Sequence, residues 1–130
     1  MRESIIVVDG CLDEGRRLCA ILKGRHYDAA PIDSLDALTT AARQRSCRCV
    51  ILDLDTLSVD NRFIRNLLRD NPDLCVIGTS SRTFHPELEE AMRTHIFACL
   101  SKPVDEDELI YWLKIICDKA PKSEASPPGK

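Results

Sequence analysis

Short apolar runs that each stop at a polar residue constrain this chain more than any other feature. Ser4-Ile5-Ile6-Val7-Val8 ends at Asp9-Gly10, and Cys49-Val50-Ile51-Leu52 ends at Asp53. Leu74-Cys75-Val76-Ile77-Gly78 ends at Thr79, and Ile96-Phe97-Ala98-Cys99-Leu100-Ser101 runs into Lys102-Pro103. Uninterrupted runs of this kind suit strands covered on both faces, as in parallel sheets. Ala29 to Ile32, after Tyr27-Asp28, is a weaker fifth run.

Amphipathic stretches fill the gaps. Asp13 to Leu22 sets Leu18, Ile21 and Leu22 on one face, and Ser34 stands as an N-cap before Ala37, Leu38, Ala41 and Ala42. Asn61 to Arg69 carries Phe63, Ile64, Leu67 and Leu68 as a stripe and is stopped by Asp70-Asn71-Pro72. Pro86 to Thr94 opens with proline and glutamates, as helix N-termini prefer. Asp105 to Cys117 spaces Leu109, Trp112, Leu113 and Ile116 for one face, which makes Trp112 a core residue. Five strand–helix repeats predict an α/β fold with right-handed crossovers and a doubly wound parallel sheet. Sites in such sheets lie outside the carboxyl ends of the strands.

The 130 residues are enough for one domain, expected over 1–118. Residues 119–130, rich in Pro, Ser, Lys and Gly, read as a linker or tail leading to a further domain. Net charge is -3 with scattered basic residues, which argues against a nucleic-acid surface. No run approaches the roughly 20 apolar residues of a membrane span or the h-region of a signal peptide, so a cytoplasmic protein without membrane contact is expected. Cysteines number seven, several within apolar runs, where a thiol acts as a small hydrophobe. Cys47-Arg48-Cys49 lacks the partners of a four-ligand zinc site. His26, His85 and His95 share no spacing and are expected at the surface or in loops.

If the strands lie side by side, Asp9, Asp53, Thr79 and Lys102 converge on one crevice. Two carboxylates, a hydroxyl and an ammonium suit phosphoryl transfer to a carboxylate, with a divalent cation, the lysine and the hydroxyl sharing the phosphoryl oxygens. Magnesium fits that chemistry because it takes one or two carboxylates and shares phosphate oxygens. Each residue also has a plainer reading: Asp9 and Asp53 as caps, Thr79 as a β-branched strand residue, and Lys102 as a surface charge before a turn.

Val7-Val8-Asp9, Ile51-Leu52-Asp53, Ile77-Gly78-Thr79-Ser80 and Lys102-Pro103 resemble, in order and rough spacing, the receiver domains of two-component response regulators. The likeness covers residues 4 to 118. It implies a flavodoxin-like (βα)5 three-layer sandwich with strand order 2-1-3-4-5. It further implies phosphorylation of Asp53 by a sensor histidine kinase or phosphotransfer protein in a phosphorelay. Magnesium would be held by Asp9, Asp53 and the main-chain carbonyl of Asp55. Thr79 would be the switch hydroxyl, Lys102 its ammonium partner, and the Lys102-Pro103 bond cis. Such domains are regulatory parts rather than enzymes, are usually linked to an output domain, and often dimerise through the fourth and fifth helices. The sequence does not select an output among DNA binding, ATP hydrolysis and second-messenger synthesis.

The chain departs from that pattern in places. Gly10 replaces the second acid after the first strand, which predicts weaker magnesium binding and less repulsion on Asp53. Cys99 stands three residues before Lys102, where a switch aromatic is usual, and is too small for the same movement. Leu57 replaces a usual proline, and Asn61 a usual glycine, with asparagine able to take a left-handed backbone. Gly10 and Cys99 favour an alternative, a degenerate receiver acting as a phosphorylation-independent binding module. A more remote alternative is a haloacid-dehalogenase-like phosphatase, from Asp53-Leu54-Asp55-Thr56, although that family's downstream acidic pair is missing.

Overall fold

The computed structural model describes residues 4–44, 47–83 and 85–118; the predicted tail at 119–130 lies outside them. The strands are β1 (Ser4–Val8), β2 (Asp28–Ile32), β3 (Cys49–Asp53), β4 (Cys75–Ser80) and β5 (Ile96–Ser101). The helices are α1 (Leu12–Gly24), α2 (Leu35–Gln44), α3 (Asn61–Asp70), α4 (Glu89–Thr94) and α5 (Glu106–Asp118), with a 3-10 turn at Pro86–Leu88 before α4. All pairings are parallel, in the order β2-β1-β3-β4-β5. This is the flavodoxin-like (βα)5 architecture expected from the sequence.

Alternation along the central strands divides the core into two layers. Ile5, Val7, Cys49, Ile51 and Ile77 face α1 and α5 through Leu18, Leu22, Leu109, Leu113 and Ile116. Ile6, Val8, Val50, Leu52 and Val76 face the other way, onto Leu38, Ile64, Leu67 and Ala91 of α2, α3 and α4. Each fully buried Leu or Ile contributes ~1.5–3 kcal/mol by leaving water. Continuous apolar runs were therefore a correct sign of strands covered on both sides. Burial in the first of these layers also pushes the Cys49 thiol up, away from reactivity. Trp112 packs against the first layer and meets Phe97 edge to face, with ring centroids 5.8 Å apart.

Local chemistry sets the ends. Ser34 Oγ accepts from Ala37 N at 3.1 Å, and Asp60 and Asp105 cap α3 and α5 in the same way. Pro31 sits inside β2, which is tolerable because β2 is an edge strand. α1 closes with a Schellman turn: Tyr27 N donates to Leu22 O and His26 N to Lys23 O. That turn puts His26 at φ 73°, a left-handed position glycine would occupy without strain. Asn61 does not take the left-handed backbone allowed for it; among the described non-glycine residues, positive φ belongs to His26. The Asn61 side chain instead accepts from Ala91 N at 2.8 Å and ties α3 to α4.

Candidate functional site

The buried polar residues in the described part are Asp9, Asp53, Thr79, Ser80 and His85, and they gather at the carboxyl end of the sheet. β1, β3 and β4 end side by side, with Asp53 in register with Thr79, so the topology delivers these groups to one place. Buried polar groups persist only where they find partners, and here most come from Thr56, Asp55, Arg82 and Lys102 around them.

Asp53 is 1% exposed. Lys102, carried past the end of β5 on a cis Lys102–Pro103 peptide, places Nζ 2.5 Å from Asp53 Oδ1. Thr56 donates its hydroxyl to Asp53 Oδ2, and Asp55 N donates to Oδ1 at 3.3 Å. Burial alone would raise the Asp53 carboxyl, but Lys102, Thr56 and the Asp55 amide together bring it below its ordinary value. Asp9 is shifted the other way: burial raises it, and the Asp53 charge adds to the rise despite a 2.8 Å bond from Cys11 N. That bond makes Asp9 a local turn cap as well as a pocket carboxylate.

The side chain of Asp55 has the densest partners in the crevice. Oδ1 accepts from Ser80 Oγ at 2.8 Å, and Oδ2 from Ser81 N and Ser81 Oγ at 2.9 Å each, with Lys102 Nζ 3.2 Å away. Burial opposes ionisation, yet the Ser81 and Ser80 donors and Lys102 hold this carboxyl far below the usual carboxylate range. Lys102 in turn loses some basicity to burial and regains more from Asp53 and Asp55, so it stays charged.

Asp53, Lys102 and Asp9 thus come together and Thr79 lies in register with Asp53, but the hydroxyls reaching the acidic cluster are those of Thr56, Ser80 and Ser81. Cys99 lies exposed on β5, its sulfur 3.7 Å from where a side chain on Gly78 would begin. His85 lies in a loop, as expected, but it is not at the surface. Its side chain is fully buried, with Nε2 2.8 Å from Ser80 Oγ and Nδ1 2.9 Å from the Arg82 guanidinium. Arginine can only donate, so Nδ1 accepts and Nε2 carries the proton to Ser80. Ser80 also accepts from Arg82 N, leaving its own proton for Asp55. His85 was illegible because nothing local distinguishes a histidine in a loop from one folded back under it.

Thr56 decides whether the residues fit a magnesium ion. Its Oγ1 accepts from Gly10 N at 2.9 Å, and a Cβ built on Gly10 would lie 2.8 Å from that oxygen. The threonine therefore fills the space where a second acid would enter and covers Asp53 Oδ2, while Lys102 covers Oδ1. Among the described residues no group of three or more His, Cys, Asp or Glu side chains could hold a metal. As arranged, the set does not fit the ion.

No family model and no curated protein matches the chain. Solved structures do. A CheY-like receiver domain from Methanospirillum hungatei superposes with a TM-score of 0.81 at 13% identity, covering 91% of this chain and 95% of that one. A response regulator from Thermotoga maritima gives 0.77 at 18% identity, covering 92% and 100%. NtrX from Brucella abortus, solved with ADP, gives 0.76 at 24% identity; the match covers 89% of this chain and 27% of NtrX, so this chain spans about a quarter of that protein. No helix in the described residues is long and apolar enough to cross a membrane. Strand order, layer arrangement and these superpositions agree: the chain has the fold of a response-regulator receiver domain.

Proposed function

We propose that this domain is a phosphoacceptor switch in a two-component phosphorelay, with Asp53 taking a phosphoryl group from a sensor histidine kinase or phosphotransfer protein. The reading is carried by the gathering of the buried polar residues around Asp53, with Lys102 paired to it. A carboxylate kept ionised at the open end of a parallel sheet is a competent nucleophile. In the transfer, an Asp53 oxygen attacks phosphorus, the P–N bond of the phosphohistidine breaks as the P–O bond forms, and the imidazole keeps the electron pair and is protonated from solvent. Lys102 neutralises the new phosphoryl charge, and hydroxyls from β4 donate to its oxygens. The switch hydroxyl is assigned to the Thr79–Ser80 pair, and the changed surface includes Cys99 on β5. Thr56 covers the cation side, so a magnesium ion would enter only if that side chain withdrew. The setting is cytoplasmic, with a linked output domain.

Gly10 and the Thr56 that fills its space favour a second reading, a binding module that works without phosphorylation. The phosphatase reading has less support, since Asp55, the acid it would use as proton carrier, is held ionised by its donors. Incubation with acetyl phosphate, with and without magnesium, followed by intact mass measurement separates the first two. The phosphoacceptor reading expects one phosphoryl adduct on the wild type and none on Asp53→Asn. An unmodified wild type under both conditions leaves the binding module.

A further inference from the structure

Donors of the kind a phosphoryl group takes are already in use in the crevice that holds Asp53. Ser80 Oγ, Ser81 N and Ser81 Oγ all point at the Asp55 carboxylate, and Lys102 Nζ bridges Asp55 and Asp53. Together they form a small hole for an oxyanion: two hydroxyls, a backbone N–H and an ammonium converging on a single charged group. A phosphoryl group has three oxygens that accept from donors of this kind. Both anions cannot occupy one hole, because like charges at such separation repel and the donors are finite.

We propose that Asp55 is the resident anion of this hole, so that a phosphate-like oxyanion gains Ser80, Ser81 and Lys102 only by expelling the Asp55 side chain. The phosphoryl half of the statement rests on the function proposed above; the hole itself stands on the geometry. Expulsion has a destination. Arg82 Nε already lies 3.9 Å from Asp55 Oδ1, and beside it opens a cleft of about 380 Å³ lined by Asp55, Asp60, Arg82 and Glu87. It also has a consequence. Ser80 receives protons from His85 and from Arg82 N and passes its own to Asp55, so the exchange is felt by the buried His85 and by the turn leading into α4. The arrangement makes Asp55 a positioning residue: it holds the β4 end in an anion-bound state before any phosphoryl group arrives.

The test titrates inorganic phosphate, and separately beryllofluoride, into the full chain while following the Ser81 amide by NMR. Wild type is compared with Asp55→Ala and with Asp55→Asn, the latter keeping the size and losing the charge should the alanine variant fold poorly. Both variants are expected to bind the oxyanion about tenfold or more tightly than wild type, and adding Lys102→Ala should abolish the gain. Equal response of the Ser81 amide in wild type and both variants overturns the proposal. Failure of the phosphoacceptor reading looks different: no mass adduct from acetyl phosphate on any form, with the Ser81 response to inorganic phosphate still enhanced in the variants.

Discussion

The two sides of the Asp53 crevice are built to opposite plans. On the β1 side, where a cation would sit, one acid is a glycine, the other is pushed toward its neutral form, and Thr56 lies over the gap. On the β4–β5 side, where an anion would sit, hydroxyls, an amide and an ammonium are all present and already hold a carboxylate. Losing an acid lowers the negative charge a cation needs, while leaving the lysine to be neutralised by whatever carboxylates remain. The comparison teaches that such a pocket can keep its anion chemistry after its cation chemistry has been filled in, because the two halves hang on different strands.

Removing the shared ammonium breaks the comparison most severely. Lys102→Met leaves the buried Asp53 carboxylate without its cation and removes one partner of Asp55, and should cost about 3 kcal/mol in urea unfolding, along with all phosphoryl uptake. A change away from both sides, such as Val76→Ala at the start of β4 in the packed core layer, costs about 1–2.5 kcal/mol as an ordinary cavity and leaves uptake intact.

The cation side can be reopened. Gly10→Asp alone should destabilise the fold by about 1–3 kcal/mol, since its Cβ meets Thr56. Combined with Thr56→Ala the penalty should shrink and magnesium affinity, read by calorimetry, should appear. The pair is thus strongly non-additive. Additive costs without magnesium binding would show that Thr56 is not what closes this side.

Acid titration gives the two halves opposite signs. Asp55 titrates lower in the fold than in the unfolded chain, so its stabilisation is present above the ordinary carboxylate value near ~4 and is lost as pH falls. Asp55→Asn should therefore be less stable than wild type at neutral pH, with the gap narrowing in acid. Asp9 titrates higher, so its ionisation costs stability above its folded pKa. Asp9→Asn, which still accepts from Cys11 N, should be more stable at neutral pH, with the gain fading in acid. The same sign for both variants in melting curves across pH would contradict the division into halves. Away from both, His26→Gly should add about 0.5–1 kcal/mol by relieving the left-handed turn, and leave the pocket untouched.

The strands and the convergence of Asp9, Asp53, Thr79 and Lys102 were legible because both depend on short-range pattern: apolar runs, and the polar residue at which each stops. What could not be read were contacts between loops. Thr56 is 46 positions from Gly10, and His85 folds back five residues to Ser80. Neither spacing has a period, since loop side chains are aimed by tertiary packing. The Asp55 side chain was missed for a related reason: attention to its carbonyl gave no clue that its carboxylate would find the Ser80–Ser81 turn.

On the function proposed above, Asp53 carries the phosphoryl group while Asp55, two residues on, only stands in for it. Borohydride reduction of acetyl-phosphate-treated protein, which converts an acyl phosphate to an alcohol, followed by peptide sequencing, locates the modified position. Conversion at 53 with 55 unchanged, at higher yield in Asp55→Asn, is expected; conversion at 55, or at neither position in any form, would contradict that assignment.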